Sequence, residues 1–524
     1  MNNQLRPQRL LREGLQFSAE IHPEKTALII DGTAVTYLEL KNHALRMASV
    51  LIKQGVKRGD RVAIYMDNTL PCIISIYGTL LAGGVFLVIN PQTKADKLHF
   101  ILEDSEAVLL VADGHLAGSY TEGTNNLPGL KAIISSEELP ESAKGHLIPL
   151  SFDVLISETE LLDKPISIIP NDLAAFIYTS GSTGFPKGVM QTHQSMVFAS
   201  GSIIEYLRLT RDDKIILMLP LAFDYGLYQL LIAIILGATL VVERSFVYPG
   251  LIYKRIEDAQ ATVFPGVPTI YATMIAAYKK SKITFPSVKT VTNTAAALPV
   301  DFLSHLKLIF PNALIFKMYG LTECKRVSYL EPELLDKKPG SVGKAIPGTE
   351  IFIKTLEGKP VQPNEPGFLY VRGPHVMAGY WKRPEQTQEM LFPGEIPGEK
   401  ILCTHDWMRM DEEGFLYFIG RSDDIIKTRG EKVSPIEVEN AIHSIDSVKE
   451  VVVLGVPDEL LGESVRAFVV LNTDSMLTER EIRKVCTRKL ENFMVPKDVI
   501  ILDTMPISPN GKIAKKELTA WEKA

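Results

Sequence analysis

Tyr178-Thr179-Ser180-Gly181-Ser182-Thr183-Gly184-Phe185-Pro186-Lys187-Gly188 is the stretch from which the rest of this chain can be read. Ahead of it, Ala174, Ala175, Phe176, Ile177 and Tyr178 form a short apolar run of the kind that makes a buried strand. Behind it, Met196, Val197, Ser200, Ile203, Ile204 and Leu207 recur at helical spacing, with Thr192 placed to cap them. The loop is therefore expected between a strand and a helix. Its glycines free the backbone to curl until the amides converge, the hydroxyls of Thr179, Ser180, Ser182 and Thr183 add donors, and Lys187 adds positive charge. That combination suits a polyphosphate. The common nucleotide loop does not match, because it needs four residues between its glycines and a hydroxyl directly after its lysine. A Gly/Ser/Thr linker is the bland alternative, and the Pro186-Lys187-Gly188 ending argues against it.

The chain's 524 residues exceed one hydrophobic core and imply two to four structural units. Apolar residues make up 46% and charged residues 23%, an ordinary globular balance, and a net charge of -6 argues against nucleic acid or an anionic membrane as the main partner. Cys72, Cys324, Cys403 and Cys486 are dispersed, with no zinc or redox spacing, so a reduced cytoplasmic setting is expected. The first residues lack the apolar core of a signal peptide. The apolar run 227–242 is too short to span a bilayer and is split by Gly237, which makes it a buried helix followed by a strand.

That unit has an earlier counterpart. A helix over 73–81 is stopped by Gly83-Gly84 and followed by a strand over 85–89, as the later helix is stopped by Gly237 before a strand over 239–242. Two such units suggest a doubly wound α/β architecture with related halves. Upstream, Asp31-Gly32 reads as a turn between two strands, and a helix follows with Leu38, Leu40, Ala44, Leu45 and Leu51 on its apolar side. Residues 115–171 are less periodic and read as a surface excursion.

Four further stretches carry chemistry. Phe223-Asp224 opens the long apolar helix, where a carboxylate is costly unless paired or wet. Met318-Tyr319-Gly320-Leu321-Thr322-Glu323 combines a flat aromatic, a hydroxyl and a carboxylate. Thr404-His405-Asp406 precedes Gly420-Arg421, and Pro506-Ile507-Ser508-Pro509-Asn510-Gly511-Lys512 holds a lysine in a Pro/Gly-rich loop.

In this order, from Thr36-Tyr37 to Lys512, the chain resembles the AMP-forming adenylating enzymes, which include acyl-CoA ligases, luciferases and nonribosomal peptide adenylation domains. The resemblance implies ATP and Mg2+ as cofactors and an N-terminal domain over 1–421 followed by a small α+β lid over 422–524. It places Thr179, Ser180, Gly181, Ser182, Thr183, Gly184 and Lys187 on the phosphates, Tyr319 on adenine, Asp406 and Arg421 on the ribose, Thr322 on phosphate and Glu323 on the metal. Lys512 becomes the catalytic lysine and Asp423 the hinge of the lid. Phe223, Asp224, Tyr228 and Met318 fall in the substrate pocket, which Pro265, Thr292, Thr294, Arg326 and Val327 also resemble by position.

The family's acyl-CoA ligases usually carry histidine where this chain has Phe223, whereas amino-acid-activating members carry Phe-Asp, whose aspartate holds the substrate's ammonium. On that resemblance the expected substrate is a small amino acid, proline first, passed to the phosphopantetheine thiol of a separate carrier protein, since no segment resembling a carrier follows Lys512. The alternative is an acyl-CoA ligase for a non-amino acid with coenzyme A as acceptor, which Arg326 and Arg372-Gly373-Pro374 favour.

Overall fold

The computed structural model describes residues 7–137, 149–179, 186–294, 296, 298–299, 301–355, 357–421, 426–428, 431–458, 461–472, 475–490, 492–507 and 513–519. Its strands form four sheets. A nine-stranded sheet has a parallel centre of Leu314–Tyr319, Thr290–Asn293, Val263–Gly266, Lys214–Leu217, Thr239–Val242 and Thr26–Ile30. An eight-stranded sheet has a parallel centre built on Leu173–Thr179, Val85–Ile89, Arg61–Tyr65 and Ala107–Ala112. Helices Tyr37–Lys53, Leu70–Leu81, His193–Tyr206 and Asp224–Leu236 fill the space between the two. One continuous apolar cluster joins Ile64, Phe86 and Ile177 of one sheet to Leu28, Ile215, Val291 and Phe316 of the other through these helices.

The sequence accounts for this layering. Helix Asp224–Leu236 is apolar on every side, so it is stable only where both faces are covered, and all of its residues from Asp224 to Ile235 are buried. Truncating a residue such as Leu230 to alanine would cost about 2–5 kcal/mol. The two helix–glycine–strand units are true counterparts: Gly83 and Gly237 both have φ of 74°, the left-handed conformation that ends a helix and that glycine adopts without steric cost. A third, antiparallel sheet contains Glu350–Lys354, Pro366–Arg372 and Lys400–Met410, and a fourth uses only strands between Ile426 and Leu502. Together these are an α/β protein with a large N-terminal and a small C-terminal portion. Among the described residues, no helix is long and apolar enough to cross a membrane. All four cysteines are free and buried.

Some sequence expectations are corrected. The glycine-rich loop does not join a strand to a helix; it joins Leu173–Thr179 to an antiparallel strand, Lys187–Thr192, and only then does Thr192 cap the helix through Ser195 N. The segment 115–171 is no mere excursion, since Ala132–Ser135 is fully buried and extends the eight-stranded sheet in parallel. Leu38 faces solvent, and Tyr37 and Met47 take the buried side instead, because the helix begins directly after its cap, Thr36. Ser434 occupies the cap position before Pro435, but its hydroxyl donates to Ile419 O rather than accepting from the helix.

Candidate active site

Thr179 and Lys187 face each other across the hairpin, so they fix both ends of the glycine-rich loop. Ser180, Gly181, Ser182, Thr183 and Gly184 lie outside the described residues, as do Asp423 and Lys512. Lys187 Nζ sits 3.9 Å from the ring centroid of Tyr380, and the Tyr380 hydroxyl donates to Glu323 Oε1 at 2.6 Å. Tyr380 reaches this position because Gly379–Tyr380 pairs antiparallel with Met190 and Val189 as an extra edge strand. One tyrosine therefore ties the loop lysine to the carboxylate expected to hold the metal. Sequence analysis does not single out Tyr380; a phenol within Met377-Ala378-Gly379-Tyr380-Trp381 is the available signal.

The segment after Tyr319 closes on itself. A Cβ on Gly320 would lie 2.0 Å from Lys325 O, so only glycine permits the turn, which the amides of Cys324 and Lys325 close by donating to Leu321 O at 3.0 and 2.6 Å. Lys325, fully buried, then points its ammonium at Gln191 Oε1, Ser195 Oγ (3.1 Å) and His375 O (2.8 Å), which satisfies its three donors. Gln191 in turn donates to Thr322 O at 2.9 Å. Thr322 and Glu323 are thus clamped to the strand that follows the glycine-rich loop. Sequence alone assigns this role to neither Gln191 nor Lys325.

Tyr319 and Asp406 meet directly, the phenol donating to Asp406 Oδ2. Burial and this carboxylate push the phenol's pKa well above its ordinary value. Arg421 is paired with Asp406 across adjacent strands, so adenine-side and ribose-side residues converge from distant segments. His405, just before Asp406, has a φ of 56°, a left-handed backbone of the kind glycine adopts most readily.

The residues expected to form the acyl pocket are arranged differently. Asp224 is the first residue of its helix, after the cap residue Phe223, where the helix dipole favours a negative charge. Gly226 lets the helix sit on the preceding chain, since a Cβ there would lie 2.3 Å from Pro220 O. Both Asp224 carboxylate oxygens and the Tyr228 hydroxyl are buried without a hydrogen-bond partner. Burial raises the Asp224 pKa, while Lys325, Arg326 and the nearby Thr322 hydroxyl pull it back. Burial lowers that of Lys325. The Arg326 guanidinium lies 5.1 Å from the centroid of Tyr225, donates through one terminal nitrogen to Lys325 O at 3.0 Å, and keeps its buried Nε unpartnered. Behind it, Met318 Sδ accepts from Tyr206 at 2.9 Å, and Thr292 O accepts from Tyr225 and Tyr271, each at 2.6 Å.

Lys187, Tyr319, Glu323, Tyr380 and Asp406 are gathered from separate segments, with buried Asp224 and Arg326 under the same turn, as the resemblance to the adenylating enzymes leads one to expect. The chain belongs to the AMP-binding enzyme family: that family's model matches residues 15–381, and the model of the AMP-binding enzyme C-terminal domain matches 437–512. It is 32% identical to a long-chain-fatty-acid–CoA ligase of Bacillus subtilis over 98% of this chain and 95% of that protein. It is 27% identical to a linear gramicidin synthase of Brevibacillus parabrevis over 98% of this chain but 6% of that protein. Its fold superposes on the crystal structure of ATP-bound MatB from Rhodopseudomonas palustris with a TM-score of 0.87, at 27% identity and 98% coverage of both chains. The protein is an AMP-forming ligase that uses ATP with Mg2+. Glu323, oriented by Tyr380, is a hard oxygen donor that fits the ion.

Proposed function

We propose that this protein is an acyl-CoA ligase for a carboxylic acid without an α-amino group. The observation that carries the reading is the charge around Asp224: one buried carboxylate lies within the electrostatic reach of two basic side chains, Lys325 and Arg326. A substrate ammonium would bring a third positive charge into that buried cluster, whereas a neutral acyl group leaves it unchanged. The similarity to acyl-CoA ligases over nearly the whole chain supports the same reading. The amino-acid and carrier-protein reading retains one observation in its favour, the two unpartnered oxygens of Asp224.

In the first step the substrate carboxylate attacks the α-phosphorus of ATP and pyrophosphate leaves. Lys187 and the loop it closes hold the β and γ phosphates, Tyr319 and Asp406 hold the nucleoside, and Thr322 faces the reacting phosphate. Glu323 would hold Mg2+, which supplies charge neutralisation on the phosphates. No protein nucleophile is needed, so the residues act by positioning and electrostatics. Lys512, carried on a lid comprising 422–524, steadies the charge developing at the α-phosphate. The lid then turns about Asp423, and the thiol of coenzyme A attacks the acyl carbon, releasing AMP and leaving a thioester. The test is thioester formation from a panel of aliphatic, aromatic and amino acids with coenzyme A as the only thiol. Thioester from a non-amino acid is expected; adenylate formation confined to amino acids, without thioester on coenzyme A, would overturn the reading.

A further inference from the structure

The acyl pocket holds more unsatisfied polarity than a purely apolar acid could answer. Asp224 is 9% exposed, Arg326 3% and Tyr228 0%, yet both carboxylate oxygens, the guanidinium Nε and the phenol oxygen lack partners. Buried polar groups in folded proteins are almost always paired, because an orphan costs about 1–3 kcal/mol. These residues also form one neighbourhood. Asp224 and Tyr228 lie one turn apart on the same helix face, Arg326 packs on the intervening Tyr225, and both Asp224 and Arg326 act electrostatically on the Tyr228 phenol. Lys325 does not compete for a ligand, since its three donors are already taken.

The inventory selects among ligands. An ammonium would satisfy Asp224 but meet the charge of Arg326. A second carboxylate would satisfy Arg326 but meet the charge of Asp224. A long alkyl chain would satisfy neither. A neutral group with a donor and an acceptor satisfies both at once.

We propose that Arg326, opposed by Asp224 and Tyr228, is the specificity-determining residue of this ligase. It selects compact carboxylic acids carrying a hydroxyl or a carboxamide, which accepts from Arg326 and donates to Asp224. This rests on the acyl-ligase reading above and names the substrate class within it.

The test measures acid-dependent pyrophosphate release, with hydroxylamine as acceptor, for acids sharing one short skeleton: unsubstituted, hydroxylated at each carbon in turn, carbamoylated, aminated and dicarboxylic. The best hydroxy or carbamoyl acid should exceed the unsubstituted acid in kcat/KM by about tenfold or more. In Arg326→Met that ratio should fall towards one while the KM for ATP stays within about twofold, a loss of selectivity between acids that loss of a merely structural residue would not give. Should Arg326→Met fail to fold, Arg326→Gln, which keeps a donor but loses the fork, should give an intermediate ratio. A wild-type ratio near one, or a preference for the aminated or dicarboxylic acid, overturns the proposal. Silence with every acid would count against the adenylation reading instead. Thermal shift with the same acids then decides the pocket: stronger stabilisation by the hydroxy or carbamoyl acid in wild type but not in Arg326→Met supports the proposal, and equal shifts overturn it.

Discussion

The proposed nucleotide side and the proposed acyl side of this protein meet at one turn, residues 319–326, and solve the burial of polar groups in opposite ways. On the nucleotide side Tyr319 answers Asp406, Tyr380 answers Glu323, and Gln191 and Ser195 answer Lys325. On the acyl side Asp224, Tyr228 and Arg326 Nε are left unanswered. The difference follows from what each side receives. ATP brings a constant set of phosphates and rings, so its cradle can be braced in advance by protein–protein contacts; the acyl group brings the missing partners itself.

The largest expected effect is on the nucleotide side. Lys512→Ala should lower adenylate formation by about 10²–10³, the magnitude of losing one preorganised charge at the reacting centre, as read by ATP–pyrophosphate exchange. Near-wild-type exchange would remove Lys512 from the mechanism. On the acyl side, Asp224→Asn keeps the shape but replaces one acceptor with a donor facing Arg326, and should lower kcat/KM for the preferred acid by about tenfold while leaving the KM for ATP within about twofold. An equal rise in the KM for ATP would erase the contrast between the two sides. Tyr380→Phe removes one hydrogen bond from Glu323 and should raise the KM for Mg–ATP by about fivefold, corresponding to about 1 kcal/mol, with acid selectivity unchanged.

The smallest effect on either side should come from His193, which lies at the start of the helix behind the phosphate strand. Its Nδ1 accepts from Leu11 N at 3.3 Å, and burial, aided by Arg12, lowers its pKa from 6.5 to about 4. The fold therefore holds the neutral ring. The stability this provides is fully present above pH 6.5 and is lost as pH falls towards about 4, a change of about 3 kcal/mol. His193→Asn, which keeps an acceptor, should flatten the pH dependence of the unfolding free energy across that window by up to one proton and leave acid selectivity alone. An unchanged slope would mean that the ring is not held neutral by the fold.

The sequence makes the nucleotide side legible because its chemistry is local. Tyr319, Thr322 and Glu323 sit within one short motif, and the helix–glycine–strand units identify themselves by a stop residue whose conformation only glycine favours. The braces are illegible because they cross the chain: Tyr380 meets Glu323 across 57 residues, and Lys325 meets Gln191 across 134. The acyl pocket is half legible. Asp224 can be seen to need a cationic partner, but its setting beside Lys325 and Arg326 without a direct bond to either depends on how the 319–326 turn folds, and that geometry shifts the substrate reading from an amino acid towards a neutral acyl group.

The measurement that bears most directly on the account is ATP–pyrophosphate exchange by the wild-type protein with two acids of identical skeleton, one carrying an α-amino group and the other a hydroxyl. Exchange with the hydroxy acid and little with the amino acid is the predicted result. Exchange with the amino acid alone would contradict it and return Asp224 to the role of an ammonium ligand.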